Sequence, residues 1–240
     1  MKRLFNMLGL TAALLLAAGC AKTDTAPGSG GAGAGDQPAS QEGEVGATST
    51  EDNITPAGGP ASDDAAGRGV SIGDPAPTWE NLTGTDDKQH SLKDYADMEA
   101  VAVVFTCNEC PVAKAYEERL VKLTDDYKDK KVQLVAINTN NGEAEELPAM
   151  KERAEAQGFN FPYLDDPSQE TPRAYGATVT PHVFLLDKQR NVVYMGAIDD
   201  NQNESKGTQH YLRNAIDAVL AGEEPEPAKT KQFGCGIRYE

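Results

Sequence analysis

Cationic side chains are scarce in this chain: 22 Lys and Arg stand against 38 Asp and Glu, giving a formal charge of −16. Such acidity argues against nucleic acid or an anionic membrane face as a partner, since both attract a basic patch. No apolar run is long enough to span a bilayer, which takes about 20 residues. Neither a Ser/His/Asp order nor a phosphate-binding Gly loop is evident. Cysteine is limited to four positions, histidine to three and tryptophan to one. Thiol and imidazole chemistry is therefore confined to a few nameable residues.

Bulky apolar side chains are almost missing from residues 21–69, which are Gly, Ala, Ser, Thr, Pro and acids. Such a segment cannot bury enough surface to offset chain entropy and reads as a disordered tether. At about 5–6 Å × √n for a flexible chain, it gives a mean reach of about 40 Å. Ahead of it, Lys2 and Arg3 precede an apolar run from Leu8 to Ala18, the layout of a secretory signal. The run ends Leu16-Ala17-Ala18-Gly19-Cys20, which resembles the lipobox of bacterial lipoproteins. That resemblance implies lipidation of Cys20 after cleavage. With Ala21 rather than Asp next, it also implies sorting to the outer membrane facing the periplasm, or to the cell surface. The alternative is an ordinary signal peptide that leaves Cys20 as a spare thiol. The chain thus divides into a signal (1–19), a lipidated Cys20 with its tether (20–69), a folded domain (70–222) and a tail (223–240). Loss of Lys2 and Arg3 with the signal takes the charge to about −18, which suits an extracytoplasmic domain held to the membrane only by its anchor.

Within the folded part, Ile72 to Trp79 carries two prolines and is expected to run extended at a sheet edge, with Trp79 as core filler. Asn81 to Lys88 has a turn composition, and His90 to Tyr95 reads as a short helical turn. Ala100 to Phe105 is an unbroken apolar run, expected as a strand buried on both faces. From Pro111, residues Val112, Ala115, Tyr116, Leu120, Leu123 and Tyr127 recur at helical spacing. Val132–Asn138 reads as a second buried strand, Glu143–Gln157 as a helix, Phe159–Leu164 as a short extended piece and Pro172–Tyr175 as a short helix. His182–Asp187 and Val192–Ala197 are expected as a hairpin, and Tyr211–Leu220 as a closing amphipathic helix. The order predicts an α/β sheet with a terminal antiparallel pair.

Cys107-Asn108-Glu109-Cys110 falls between the first buried strand and the helix opened by Pro111. At a helix N-terminus, backbone N–H groups and the dipole favour a thiolate and make it nucleophilic. Cys107 is expected to be exposed and to attack; Cys110, one turn on and more buried, is expected to resolve the mixed disulfide.

Thr106 to Leu120, together with Val179-Thr-Pro-His-Val-Phe-Leu-Leu-Asp187 and Gly196 to Asn201, resembles the bacterial redoxins of the alkyl hydroperoxide reductase/thiol-specific antioxidant superfamily. The similarity covers roughly residues 70 to 238 and implies a thioredoxin-like fold, a central mixed sheet flanked by helices, with a redoxin-type N-terminal extension. It also implies a cis-Pro181 beside the cysteines. The sequence departs from that group in carrying Glu109 between the cysteines, where His is more usual, and His182 after the proline, where an acid is more usual. In the implied fold these two face each other, either paired so as to tune the Cys107 thiolate or separately solvated. Cys235, in Phe-Gly-Cys-Gly-Ile-Arg, matches the tail of the same group and stands open between a third redox cysteine and an idle thiol.

The leading expectation is thiol–disulfide exchange with protein disulfides or dithiols, without a cofactor. A second is a thiol peroxidase acting on peroxides through Cys110-Pro111; against it, Cys107 stands where peroxiredoxins have their motif threonine, and the Thr180-Pro181 region differs. A third is copper or zinc binding by Cys107, Cys110, Cys235 and His182, although only one pair is closely spaced. His90 and His210 read as surface residues, and Asp199-Asp200-Asn201 as a turn lacking calcium-loop spacing. Oligomeric state and direction of electron flow are left open.

Overall fold

The structure is a computed structural model that describes residues 69–240; the signal segment, Cys20 and the tether lie outside the described residues. Seven strands make one sheet: β1 (Leu82–Gly84), β2 (Gln89–His90), β3 (Ala100–Thr106), β4 (Val132–Asn138), β5 (Tyr163–Asp165), β7 (His182–Leu186) and β8 (Val192–Gly196). Their spatial order is β2-β1-β5-β4-β3-β7-β8. β3 pairs in parallel with β4 and antiparallel with β7, and β7 pairs antiparallel with β8. Two further strands, β6 (Val179–Thr180) and β9 (Cys235–Gly236), pair antiparallel with each other. The helices are α1 (Pro111–Lys114), α2 (Glu117–Tyr127), α3 (Leu147–Gln157), α4 (Glu170–Tyr175) and α5 (Tyr211–Ala221).

The continuous apolar run of β3 is explained by what covers its two faces. Ala100, Ala102 and Val104 pack with Leu120 and Leu123 of α2, Met150 of α3 and Leu212 and Ile216 of α5. Val101, Val103 and Phe105 point the other way, onto Trp79, Leu92, Tyr95 and Tyr175 of α4. Period-2 alternation therefore feeds two cores from one strand, and every residue from Ala100 to Phe105 is fully buried. The N-terminal extension builds the second core, with Trp79 as its filler.

Several boundaries differ from the sequence reading. The helix after Pro111 is broken: α1 stops at Lys114 and α2 restarts at Glu117. The break turns Tyr116 inward, where its hydroxyl donates to Asp199 Oδ1 at 2.6 Å, and leaves Ala115 exposed, so that Ala113 takes the buried position. Asn81–Lys88 is not only a turn; it supplies β1, which pairs with β5. Ile72–Trp79 contributes a single bridge, Pro75 to Asn191, rather than an edge strand. The third helix begins at Leu147, not Glu143, with a proline in its first turn. β5 starts only at Tyr163, while α4 begins two residues ahead of Pro172.

Asp199 is 3% exposed and accepts hydrogen bonds from Tyr116 and Arg119, tying α2 to the segment after β8. His90 is not a free surface residue: its ring bridges Tyr95 Oη (2.9 Å) and Asp86 Oδ1 (3.0 Å). His210, by contrast, is exposed. The tail from residue 223 folds back onto the domain, first along β8 and then as β9 against β6.

The core is expected to respond as a close-packed interior does. Leu185→Ala, at a fully buried position on β7, should lower unfolding free energy by about 2–5 kcal/mol in urea titration.

Candidate active site at the end of β3

Cys107 follows the last residue of β3 directly, and Cys110 is the N-cap of α1. Pro111 fits the first turn, where a missing N–H costs nothing. Both cysteines are buried, each residue 3% exposed. The expected contrast, an open Cys107 over a covered Cys110, is therefore corrected: both are covered, because β6 and the tail close over the corner.

The cover is Thr180-Pro181, whose peptide bond is cis. Thr180 Oγ1 lies 3.3 Å from Cys107 Sγ, and Thr180 O lies 3.1 Å from Cys110 Sγ. Ala113 N–H donates to Cys110 Sγ at 3.4 Å. The two thiols share a hydrogen bond, which, with burial, raises Cys107; on Cys110 the same bond, helped by the Cys235 thiol and the Ala113 N–H, lowers the thiol. In the singly protonated pair the charge thus rests on Cys110, at the helix cap. When Cys110 is protonated, its proton points at Thr180 O.

The loop between the cysteines is gripped from behind by Glu145, which is 1% exposed. Its carboxylate accepts from Asn108 N (2.6 Å) and Glu109 N (3.0 Å), and Asn138 Nδ2 donates to it at 3.1 Å. Asn108 in turn donates through Nδ2 to Ala144 O (2.7 Å) and accepts from Tyr163 Oη (2.9 Å). A buried carboxylate with several N–H donors is compensated in place, and it fixes the motif's backbone. The sequence reading missed Glu145, Asn138, Asn108 and Tyr163. Only Asn138, an amide closing the apolar run Leu134–Ile137, offered a signal.

Glu109 and His182 do not pair. Glu109 Oε2 accepts from Arg238 Nη2 at 2.9 Å, on an open groove edged by Asn141 and Glu143. His182 sits beneath the cover, 4% exposed, with its ring centroid 4.6 Å from Phe184 and Nδ1 without a partner. Its place on β7, directly opposite Phe105, turns it into the sheet rather than toward residue 109. Cys235 does reach the site: it is half-buried and packs against the group formed by Cys107, Cys110 and Ala113. Among the described residues, no three His, Cys, Asp or Glu side chains are disposed to hold a metal ion, so the four-ligand arrangement does not assemble. A separate groove lined by Ile72, Lys188 and Val219 contains none of the cysteines.

A mixed sheet with a Cys-x-x-Cys at a strand-to-helix corner, covered by a cis Thr-Pro ahead of an antiparallel hairpin, defines a thioredoxin-like protein. Comparison with known proteins narrows this further: residues 72–195 match the AhpC/TSA family, and the chain belongs to that family. It is similar to the thiol-disulfide oxidoreductase ResA of Geobacillus thermodenitrificans, at 27% identity over 126 residues, covering 51% of this chain and 67% of that one. Among solved structures it resembles an uncharacterized conserved protein from Geobacillus kaustophilus, at 37% identity and TM-score 0.66, covering 71% of this chain and 93% of that one. A hypothetical protein from Sinorhizobium meliloti 1021 is 33% identical, with TM-score 0.67 over 72% of this chain and 97% of its own.

Burial lowers the His182 pKa from 6.5 to about 4, with the charge of Lys229 adding to the effect. In the unfolded chain the imidazole takes its proton near 6.5, so between those values the unfolded state binds more protons and stability falls as pH falls. Denaturant titrations at pH 7 and pH 4 should show a loss of about 3 kcal/mol from this group. His182→Gln should remove that part of the slope.

Proposed function

We propose that the protein is a thiol–disulfide oxidoreductase acting outside the cytoplasm through the Cys107/Cys110 dithiol. The observation that carries this reading is the placement of the two sulfurs: Cys110 caps α1 and accepts from Ala113 N–H, and both thiols lie directly under the cis Thr180-Pro181. The helix cap and its N–H donor favour a thiolate at this corner, and a second sulfur stands beside it to complete the exchange. The family membership and the similarity to a thiol-disulfide oxidoreductase support the same reaction class.

In the proposed cycle the shared proton moves to Cys110, and Cys107 attacks one sulfur of a partner disulfide. The partner's S–S bond breaks, a Cys107–partner disulfide forms, and the leaving thiolate takes up a proton. Cys110 then loses its proton and attacks Cys107 Sγ, expelling the second partner thiol and leaving a Cys107–Cys110 disulfide. The protein's dithiol has lost two electrons, and the partner's disulfide has gained them. The reverse sequence oxidises a partner dithiol, so direction follows from the potentials of the two couples. No cofactor enters the cycle. Because both cysteines are buried, the approach of a partner requires the cover to shift.

The anchoring inferred from Leu16–Cys20 completes the proposal: a lipid on Cys20, and a tether that lets the domain meet protein partners away from the membrane. Cys20→Ser in the full chain should move the protein from the membrane fraction to the soluble fraction. Retention in the membrane would overturn the anchor.

Reaction of the purified protein with a small disulfide and, separately, with hydrogen peroxide tests the chemistry. Cys107→Ser is expected to reduce exchange to the uncatalysed rate, whereas Cys110→Ser should accumulate Cys107–partner mixed disulfides, seen by mass spectrometry. If both variants exchange at the parent rate, the site assignment is wrong. Fast peroxide consumption through a Cys110 sulfenate would move the protein to the peroxidases.

A further inference from the structure

We propose that Cys235 is a third redox sulfur, which takes the buried disulfide from Cys107–Cys110 as a Cys110–Cys235 disulfide and so brings it within reach of solvent. The inference rests on the dithiol reading above.

Three independent features place Cys235 for this exchange. Strand pairing sets Cys235 directly opposite Thr180, the residue whose side chain and carbonyl contact Cys107 and Cys110. Its side chain packs against the group containing both motif cysteines. The residue before it, Gly234, makes the approach feasible, since a Cβ there would lie 2.0 Å from Thr180 O. Only a residue without a side chain lets the backbones come so close.

The tail is also held in this register rather than lying loosely on the surface. Ile237 N–H donates to Thr178 O at 3.1 Å, and Arg238 N–H donates to Asn140 Oδ1 at 3.1 Å. Gln169 Nε2 donates to Arg238 O at 2.8 Å, and Arg238 Nη2 donates to Glu109 Oε2 at 2.9 Å, within the Cys-x-x-Cys loop itself. A thiol fixed beside another by this many contacts loses little freedom on forming a bond to it, which favours exchange over capture by a third molecule.

Exposure supplies the reason for a third sulfur. Cys107 and Cys110 are both buried residues, so a disulfide between them would lie under the same cover, whereas Cys235 is only half-buried. In the transfer, Cys235 loses its proton and its thiolate attacks Cys110 Sγ. The Cys110–Cys235 bond forms as the Cys107–Cys110 bond breaks, and Cys107 leaves as a thiolate and is reprotonated. The step is redox-neutral and needs no further reagent. In the reduced protein, burial and the neighbouring Cys110 thiolate raise the Cys235 pKa. Oxidation of Cys110 removes its share of that effect, while burial remains.

The test uses the full chain and Cys107→Ser, each treated at low concentration with one equivalent of diamide, alkylated, and mapped by non-reducing peptide mass spectrometry. The expected result is a Cys107–Cys110 and a Cys110–Cys235 linkage together in the parent chain, and a Cys110–Cys235 linkage with loss of both remaining motif-region thiols in Cys107→Ser. Gly234→Ala, which pushes the tail off Thr180, should cut the Cys110–Cys235 yield by about tenfold. Absence of that linkage from either protein, or an unchanged yield in Gly234→Ala, overturns the inference. If the parent chain forms no Cys107–Cys110 linkage, the dithiol reading itself fails, a result distinct from the loss of the third sulfur alone.

Discussion

Thr180 is the point on which the site depends. It is wholly buried, and its side chain, carbonyl and strand pairing are directed at three different cysteines. A residue so placed must be fixed from both sides. On one side the following proline leads straight into β7, whose register against β3 is locked by pairs from Val101–Leu186 to Phe105–His182. On the other, the tail closes over it. Because β3 ends at Thr106 and β7 begins at His182, the central antiparallel pair brings the cysteines and their cover to the same end of the sheet.

Glu145 does for the back of the motif what Thr180 does for its front. A carboxylate buried to 1% exposure is costly unless its lone pairs are used. Here two backbone N–H groups of the Cys-x-x-Cys loop and one side-chain amide use them. Its charge also raises Cys107, so negative charge is steered toward Cys110 and the helix cap. One side chain, 35 positions beyond the second cysteine in the sequence, therefore fixes the motif's backbone and adds to the bias that the paired thiols already have.

The parts legible in the sequence were those that local pattern determines. The β3 and β4 runs, the β7–β8 hairpin and the closing helix α5 announce themselves by apolar periodicity, and the dithiol announces itself by spacing at a strand-to-helix corner. Parts fixed by long-range contact were not legible. The break between α1 and α2 follows from Tyr116 reaching Asp199, 83 residues away. The partner of Glu109 is Arg238, 129 residues on, and no periodicity near Glu109 could have chosen Arg238 over His182. The equal burial of Cys107 and Cys110 likewise comes from β6 and the tail, which lie far from the motif in sequence. Cys235 stood open in the sequence for the same reason, and its position became readable only through the pairing of β9 with β6.

The course of the tail along β8 bears on a different property, the behaviour of the molecule at high concentration. β8 is the last strand of the sheet, and its outer side is occupied by Ala228 to Thr230, which exchange backbone hydrogen bonds with Met195. Gly196 admits Thr230 so closely that a Cβ would lie 2.2 Å from its hydroxyl. At the opposite edge β2 is only two residues long. Neither border therefore presents a row of free N–H and C=O groups to another chain, which is how sheet proteins avoid edge-to-edge assembly. The segment that completes the redox corner is thus also the segment that keeps the sheet from growing. Shortening the chain before Ala228 would uncover a five-residue apolar edge suited to pairing with its own copies.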